Sequence, residues 1–306
     1  MSEASRPILC LGEAIVDLIC EEEAASLGEA SAFRPHFGGA LANVAVSAAR
    51  HGAAAALAGG VGDDPWGEWL EERLAGEGID LRWFSKVPGL ETPVAFVTFG
   101  PEREPTFAVY GDGIRAGIHS VESRLEDAVA ASSAVVFGSN TLVGGPERAV
   151  TLRARDLAFA AGIPVMFDPN VRPNRWEDMA AAWELCRTAA AGLFVIRANL
   201  AEARGMTGLG ADADPAECAE AMCDLGARVA VVTMGAGGVL ARGEAAGEAD
   251  APKVDVVSPL GAGDAFFGAL AAESARGGWT PEAVVAGLET AAAAGARACE
   301  RWEAVG

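Results

Sequence analysis

Ser258-Pro259-Leu260-Gly261-Ala262-Gly263-Asp264-Ala265-Phe266-Phe267-Gly268 sets two glycines around one small residue, an aspartate directly after them, and then an apolar helical run. Glycine lets backbone approach a ligand and adopt conformations closed to other residues. At a helix start it leaves several N–H groups free where the macrodipole favours negative charge. The segment is expected to hold a phosphate, with Asp264 fixed beside it. Hydroxyl phosphorylation needs that pairing: amides for the developing charge and a carboxylate for the hydroxyl proton. Taken alone, the tetrapeptide reads equally well as an ordinary turn with Asp264 as an N-cap.

Upstream, short apolar runs alternate with Ala-rich segments of helical period. The runs are Ile8–Leu11, 54–58, 134–137, 164–167, 193–196 and Val229–Thr233. Strands buried on both faces between helices predict an α/β fold with a mostly parallel sheet and helices on either side. Asp214-Pro215 and Thr280-Pro281 read as helix starts, with Pro in the first helical position. One region breaks the rhythm. Residues 92–99 and 106–110 read as a hairpin around a charged turn at 101–105, and 15–19 and 31–37 are strand-like as well. Together they predict a small second sheet, discontinuous over about 14–37 and 91–111, either lying over one end of a single 1–306 domain as a lid or forming a plain edge meander. Residues 242–253 read as an exposed loop or hairpin.

The 306 residues carry a formal net charge of −20 and a pI near 4.5, which argues against nucleic acid or an anionic membrane as partner. None of the six cysteines forms a C-x-x-C pair and only three histidines occur, so neither a zinc site nor a disulfide framework is expected. No signal peptide or membrane span is read, and the expected home is the reducing cytoplasm.

Five further clusters carry chemistry. Phe37-Gly38-Gly39-Ala40-Leu41-Ala42-Asn43 opens a helix that ends at His51-Gly52. Gly38 and Gly39 allow close approach of a small molecule, and Asn43 offers donor and acceptor to sugar hydroxyls or simply packs. Asp17 lies inside an apolar run after Gly12-Glu13, where a carboxylate needs a partner such as a polyol, or else faces solvent. Asp168-Pro169-Asn170-Val171-Arg172-Pro173 stands at a strand's C-terminal end, where open α/β sheets bind ligands, and Arg172 is its cation for a phosphate or sugar acid. Asn199 and Glu202, three apart after the next strand, are spaced either to organise hydrated Mg²⁺ or to close a capping box. Thr233-Met234-Gly235-Ala236-Gly237-Gly238 is a glycine-rich turn suited to a nucleotide or to a tight hairpin.

In this order and over essentially the whole length, these elements resemble the PfkB, or ribokinase-like, family of sugar kinases. The 37–43 cluster looks like that family's N-terminal signature, Leu260-Gly261-Ala262-Gly263-Asp264-Ala265-Phe266 like its C-terminal one, and Asn199 with Glu202 like its N-x-x-E element. The resemblance implies a Rossmann-like α/β domain with a small β lid, binding ATP, Mg²⁺ and a sugar. It implies Asp264 as catalytic base and Gly261, Ala262 and Gly263 as anion hole. It further implies Asp17, Gly38, Gly39, Asn43 and Arg172 at the sugar. Thr233, Gly235, Gly238 and Asn199 fall at ATP, and Glu202 and Asn199 at Mg²⁺ through water. The 168–176 stretch resembles fructokinases and also kinases of 2-keto-3-deoxygluconate.

Three departures from the pattern matter. Ser258-Pro259-Leu260 stands where relatives often carry Asp-Thr-Thr, which leaves K⁺ activation open. Tyr110-Gly111-Asp112-Gly113-Ile114-Arg115 lacks the fructokinase Arg pattern, with Arg115 as the substitute. Alanines surround Ala292, where relatives often carry an Asn beside the adenine. The expectation is therefore an ATP-dependent, fructokinase-like sugar kinase. 2-Keto-3-deoxygluconate, nucleoside or sugar-phosphate kinases are the alternatives, with Arg103, Arg115 or Arg172 as the extra cation for an anionic substrate. A sugar-binding regulator without turnover is the reading from another class. A nicotinamide dehydrogenase is disfavoured, because the first strand lacks a G-x-G-x-x-G sequel. A homodimer paired through the lid strands is compatible with the sequence and not required by it.

Overall fold

The computed structural model describes residues 6–101, 103–111 and 113–305. Glu102 of the charged turn and Asp112 of the 110–115 segment lie outside the described residues.

The strands are β1 (Ile8–Leu11), β2 (Ile15–Glu23), β3 (Arg34–Gly38), β4 (Ala55–Gly62), β5 (Phe84–Val87), β6 (Val94–Phe99), β7 (Pro105–Tyr110), β8 (Ala134–Gly138), β9 (Val165–Asp168), β10 (Val195–Asn199), β11 (Val229–Thr233), β12 (Val239–Gly243) and β13 (Gly247–Ala249). The helices are α1 (Ala40–Arg50), α2 (Pro65–Gly76), α3 (Gly113–His119), α4 (Leu125–Ala130), α5 (Gly145–Ala160), α6 (Met179–Ala190), α7 (Leu200–Thr207), α8 (Pro215–Asp224), α9 (Ala262–Arg276), α10 (Pro281–Ala286) and α11 (Leu288–Ala298). Asp214 and Thr280 cap α8 and α10 with their side chains, each followed by Pro.

Nine strands form one sheet in the order β13-β12-β11-β10-β9-β8-β1-β4-β5, parallel except for the antiparallel pairs at the β11–β12–β13 edge. The period of two sends alternate side chains to opposite faces. Ile8 and Cys10 of β1 pack toward α1, α2, α9, α10 and α11, and Leu9 and Leu11 toward α3 to α8. Both faces are thus covered, which is why the strands read as unbroken apolar runs. The run read as 54–58 extends further: β4 continues through Gly59-Gly60-Val61-Gly62, all buried.

α1 and α9 lie side by side with little between them. A Cβ on Gly268 would meet the Val44 carbonyl oxygen at 2.4 Å, so only glycine allows this approach. Ser47 Oγ donates to the Ala265 carbonyl across the same seam at 2.6 Å.

The second sheet has the order β3-β2-β6-β7, with β2 parallel to β6 and the outer pairs antiparallel. Its Ile19, Ala95, Val97 and Phe99 share a small core with Leu260 and Ala304, joining this sheet to the loop before α9.

Candidate active site

From β1 the chain adds β4 on one side and later β8 on the other, so the order of the parallel strands reverses between β1 and β8. Ligands of open α/β sheets bind outside the carboxyl ends of strands at such a point. Here Glu13 follows β1, Asn140 follows β8, Asn170 and Arg172 follow β9, Asn199 closes β10 and Thr233 closes β11.

Two compartments meet at Asp264. The inner one is lined by Glu13, Asp17, Gly39, Asn43, Asn140 and Asp264, with Arg172, Arg175 and Phe107 over them. The outer one is lined by Asn170, Arg172, Arg197, Asn199, Glu202, Gly261, Gly263 and Asp264. Asp264, Arg172, Leu260 and Gly261 border both.

Asp264 is the third residue of α9, in a first turn opened by Gly261. Gly261 has φ of 71°, and a Cβ there would lie 1.9 Å from the Ala304 carbonyl oxygen. Backbone strain and the close neighbour both require glycine. The Asp264 carboxylate is held by two amides: Asn43 Nδ2 donates to Oδ2 at 2.9 Å, and Asn170 Nδ2 donates to Oδ1 at 3.0 Å. Burial pushes its pKa up to about 7, against the Asn43 hydrogen bond and the charge of Arg172. Asp17 is likewise pushed up to about 7 by burial and by the Asp264 charge. The Asp17 carboxylate lies directly over Gly38, where a Cβ would meet its Oδ2 at 2.0 Å.

Arg197 is a site residue that the sequence reading missed. It is buried in β10, and Nη1 donates to Asp168 Oδ2 at 2.8 Å while Nη2 donates to Thr233 Oγ1 at 2.6 Å. Burial opposes its charge, yet the Asp168, Glu202 and Asp264 carboxylates hold its pKa above the ordinary value. Its guanidinium packs on the Phe266 ring at 5.8 Å and against Gly263. The available signal was a single charge inside the otherwise apolar run Phe194-Val195-Ile196-Arg197-Ala198. Asn170, Asn140 and Arg175 were missed as well, and Glu13 entered the reading only within the Gly12-Glu13…Asp17 stretch, with no role of its own. Asn170 has φ of 39°, a conformation that Asn tolerates, and it turns its amide back onto Asp264.

Other candidates stand elsewhere. Asn199 and Glu202 form a reciprocal capping box on α7: Asn199 Oδ1 accepts from Glu202 N at 2.9 Å, and Glu202 Oε2 accepts from Asn199 N at 3.1 Å. Glu202 Oε1 also accepts from Val171 N at 2.9 Å. Among the described residues no group of three His, Cys, Asp or Glu side chains could hold a metal. The pair therefore fits a hydrated ion met through water by the remaining lone pairs, and does not fit direct ligation. Thr233, Gly235 and Gly238 all lie outside the lining of both compartments, and Thr233 reaches the outer one only through its bond to Arg197. Gly238 has its own steric reason, since a Cβ would meet the Ala249 carbonyl at 2.5 Å. Arg115 pairs with Glu147 at 3.4 Å, and Arg103 donates to the Val257 carbonyl at 2.8 Å over the Trp302 ring. Neither lines the inner compartment; Arg175 does.

An α/β molecule with a buried carboxylate set between a polar inner pocket and an amide-lined outer cleft has the architecture of a small-molecule phosphotransferase. The pattern of the pfkB family carbohydrate kinases matches residues 5–298, and the chain belongs to that family. It is 31% identical over 277 residues to fructokinase-1 of Oryza sativa subsp. japonica, covering 88% of this chain and 83% of the relative. It is 30% identical over 264 residues to probable fructokinase-4 of Arabidopsis thaliana, covering 86% and 80%. Among solved structures, a fructokinase from Xylella fastidiosa with bound ATP superposes with a TM-score of 0.81 at 28% identity over 98% of this chain and 94% of that one. A fructokinase from Vibrio cholerae O395 with fructose, ADP and a calcium ion gives 0.83 at 26% over 98% and 95%.

Proposed function

We propose that this kinase transfers the γ-phosphoryl group of ATP to a hydroxyl of a fructose-like sugar. The observation that carries the reading is the placement of Asp264 on the border of both compartments, held by Asn43 and Asn170. The sugar occupies the inner compartment against Asp17, Gly38, Gly39 and Asn43, beneath the second sheet, which acts as a lid on a single catalytic domain. ATP presents its phosphates to the outer one. Asp264 Oδ accepts the hydroxyl proton as the sugar oxygen attacks in line. The N–H groups of Gly261, Ala262 and Gly263 at the start of α9, together with Arg172, face the charge that spreads over the transferred group. Arg197 offsets the surrounding carboxylates so that an anionic donor can approach. Thr233, Gly235, Gly238 and Asn199 lie toward the nucleotide side. Asn199 and Glu202 would hold Mg²⁺ through its waters, and the ion would offset charge on the donor phosphates. Closure of the lid on Leu260 excludes water from the transfer. The free state of all six cysteines supports a cytoplasmic enzyme.

A second acceptor class has one specific observation behind it. Arg175 lines only the inner compartment and makes no side-chain ion pair among the described residues. That suits a sugar acid such as 2-keto-3-deoxygluconate. The test is Mg²⁺-dependent ADP release across fructose, ribose, 2-keto-3-deoxygluconate, adenosine and fructose 6-phosphate, with and without K⁺, beside Asp264→Ala. Stimulation by fructose that the variant abolishes supports the first reading. Stimulation by the sugar acid alone supports the second. No stimulation by any of them rejects both.

A further inference from the structure

We propose that Glu13 and Asn140 form a clamp that reads a pair of neighbouring hydroxyls on the acceptor. This second specificity element stands beside Asp17 and Asn43, and it rests on the sugar-kinase reading above. The two residues follow β1 and β8, the strands on either side of the point where the strand order reverses. Glu13 is 3% exposed. Its Oε1 accepts from Ala40 N at 3.2 Å and from Asn140 Nδ2 at 2.9 Å. Its Oε2 is buried with no partner among the described residues, and so is Asn140 Oδ1.

The interlock dictates which atoms remain free. A carboxylate only accepts, so Asn140 must turn its NH₂ toward Glu13, which leaves its carbonyl oxygen unpartnered. Both leftover atoms are acceptors, and both side chains line the inner compartment. Asp17 Oδ1 and Asn43 Oδ1, in the same lining, are also buried without partners. Four buried acceptor oxygens thus belong to residues that line one pocket, and each carries an unmet desolvation cost until a donor reaches it. A polyol supplies such donors. An ammonium ligand would meet Arg172 and Arg175 in the same wall and be repelled. Asp17 and Asn43 belong to the group around Asp264, because Asn43 bonds that carboxylate directly and Asp17 feels its charge. Glu13 and Asn140 bond each other and the start of α1 instead. They are therefore placed to sense sugar stereochemistry and not to join the proton transfer.

The experiment compares wild type, Glu13→Gln and Asn140→Ala on fructose and its monodeoxy analogues. ADP release, calorimetric sugar binding, KM for ATP and thermal melting are all measured. The expected result is a rise of about tenfold or more in sugar KM, falling on KM more than on kcat, as for one lost charge-assisted hydrogen bond. Wild type should discriminate against one or two deoxy analogues, and both variants should lose that discrimination while KM for ATP stays within twofold. A variant melting with wild type yet ranking the analogues as wild type does overturns the clamp alone. Equal losses on every sugar and on ATP, with a lowered melting point, also overturn it by showing a purely structural role. If wild type binds sugars without turnover, the same ranking is read from Kd. If it neither turns over nor binds any hydroxyl-bearing sugar, the clamp and the kinase reading fall together.

Discussion

At the residue scale the site is a problem of buried charge. Asp264 and Asp17 both titrate near 7 because burial disfavours their charged forms. For a base, the active form is the carboxylate. kcat/KM should therefore fall about tenfold per pH unit once the pH drops below about 7, as read from a pH–rate profile. Stability should run the other way. A carboxyl group whose folded pKa exceeds its ordinary value of 3.8 stabilises the fold fully below that value and loses the contribution as pH rises through the folded pKa. The free protein should thus melt lower at pH 8 than at pH 5 as far as these two groups act. Asp264→Asn removes the buried charge. It should cut kcat roughly a hundredfold or more, yet raise the melting point at pH 8, with the gain vanishing toward pH 4. A variant of normal turnover would remove Asp264 from the role of base. Arg197 illustrates the converse. Its replacement by Met leaves Asp168 uncompensated beside Glu202 and should cost on the order of 3–5 kcal/mol, measured by chemical denaturation.

At the element scale, the seam between α1 and α9 delivers Asn43 to Asp264. Gly268 sets the spacing of that seam. Gly268→Ala pushes a methyl group into the backbone of Val44, with an expected cost of about 1–3 kcal/mol. Because the two side chains are bonded across the seam, kcat should fall as well, and a folded variant of unchanged kcat would show that the register tolerates the shift. Individual elements were legible to different degrees. The apolar runs gave away the parallel strands, since a strand buried on both faces needs no polar alternation. The Asn199/Glu202 spacing could not decide between a cap and an ion site, because both need an acceptor and a carboxylate three residues apart. The structure shows the cap, with both Glu202 oxygens taken by backbone N–H groups.

At the scale of the whole molecule, the second sheet meets the loop before α9 in a small apolar core, where Leu260 and Ala304 pack with Ile19, Ala95, Val97 and Phe99. This gives the departure Ser258-Pro259-Leu260 a physical role, since Leu260 also borders both compartments. Leu260→Ala should loosen closure, raising sugar KM and increasing ADP release without sugar, as measured in a coupled assay. Unchanged sugar-free hydrolysis would separate this contact from water exclusion. Sequence by itself determined the α/β alternation, the glycine-opened helix that carries Asp264 and the order of the motifs, because periodicity and turn chemistry act over a few neighbouring residues. Tertiary structure alone decided which side chains meet. Asn43 reaches Asp264 across 221 positions and Asn170 across 94, Arg175 and not Arg115 lines the inner compartment, and four residues of that lining keep a buried acceptor oxygen without a partner. Hydrogen bonds need partners within about 3 Å at the right angle, and only the strand order of the folded sheet brings such distant residues that close.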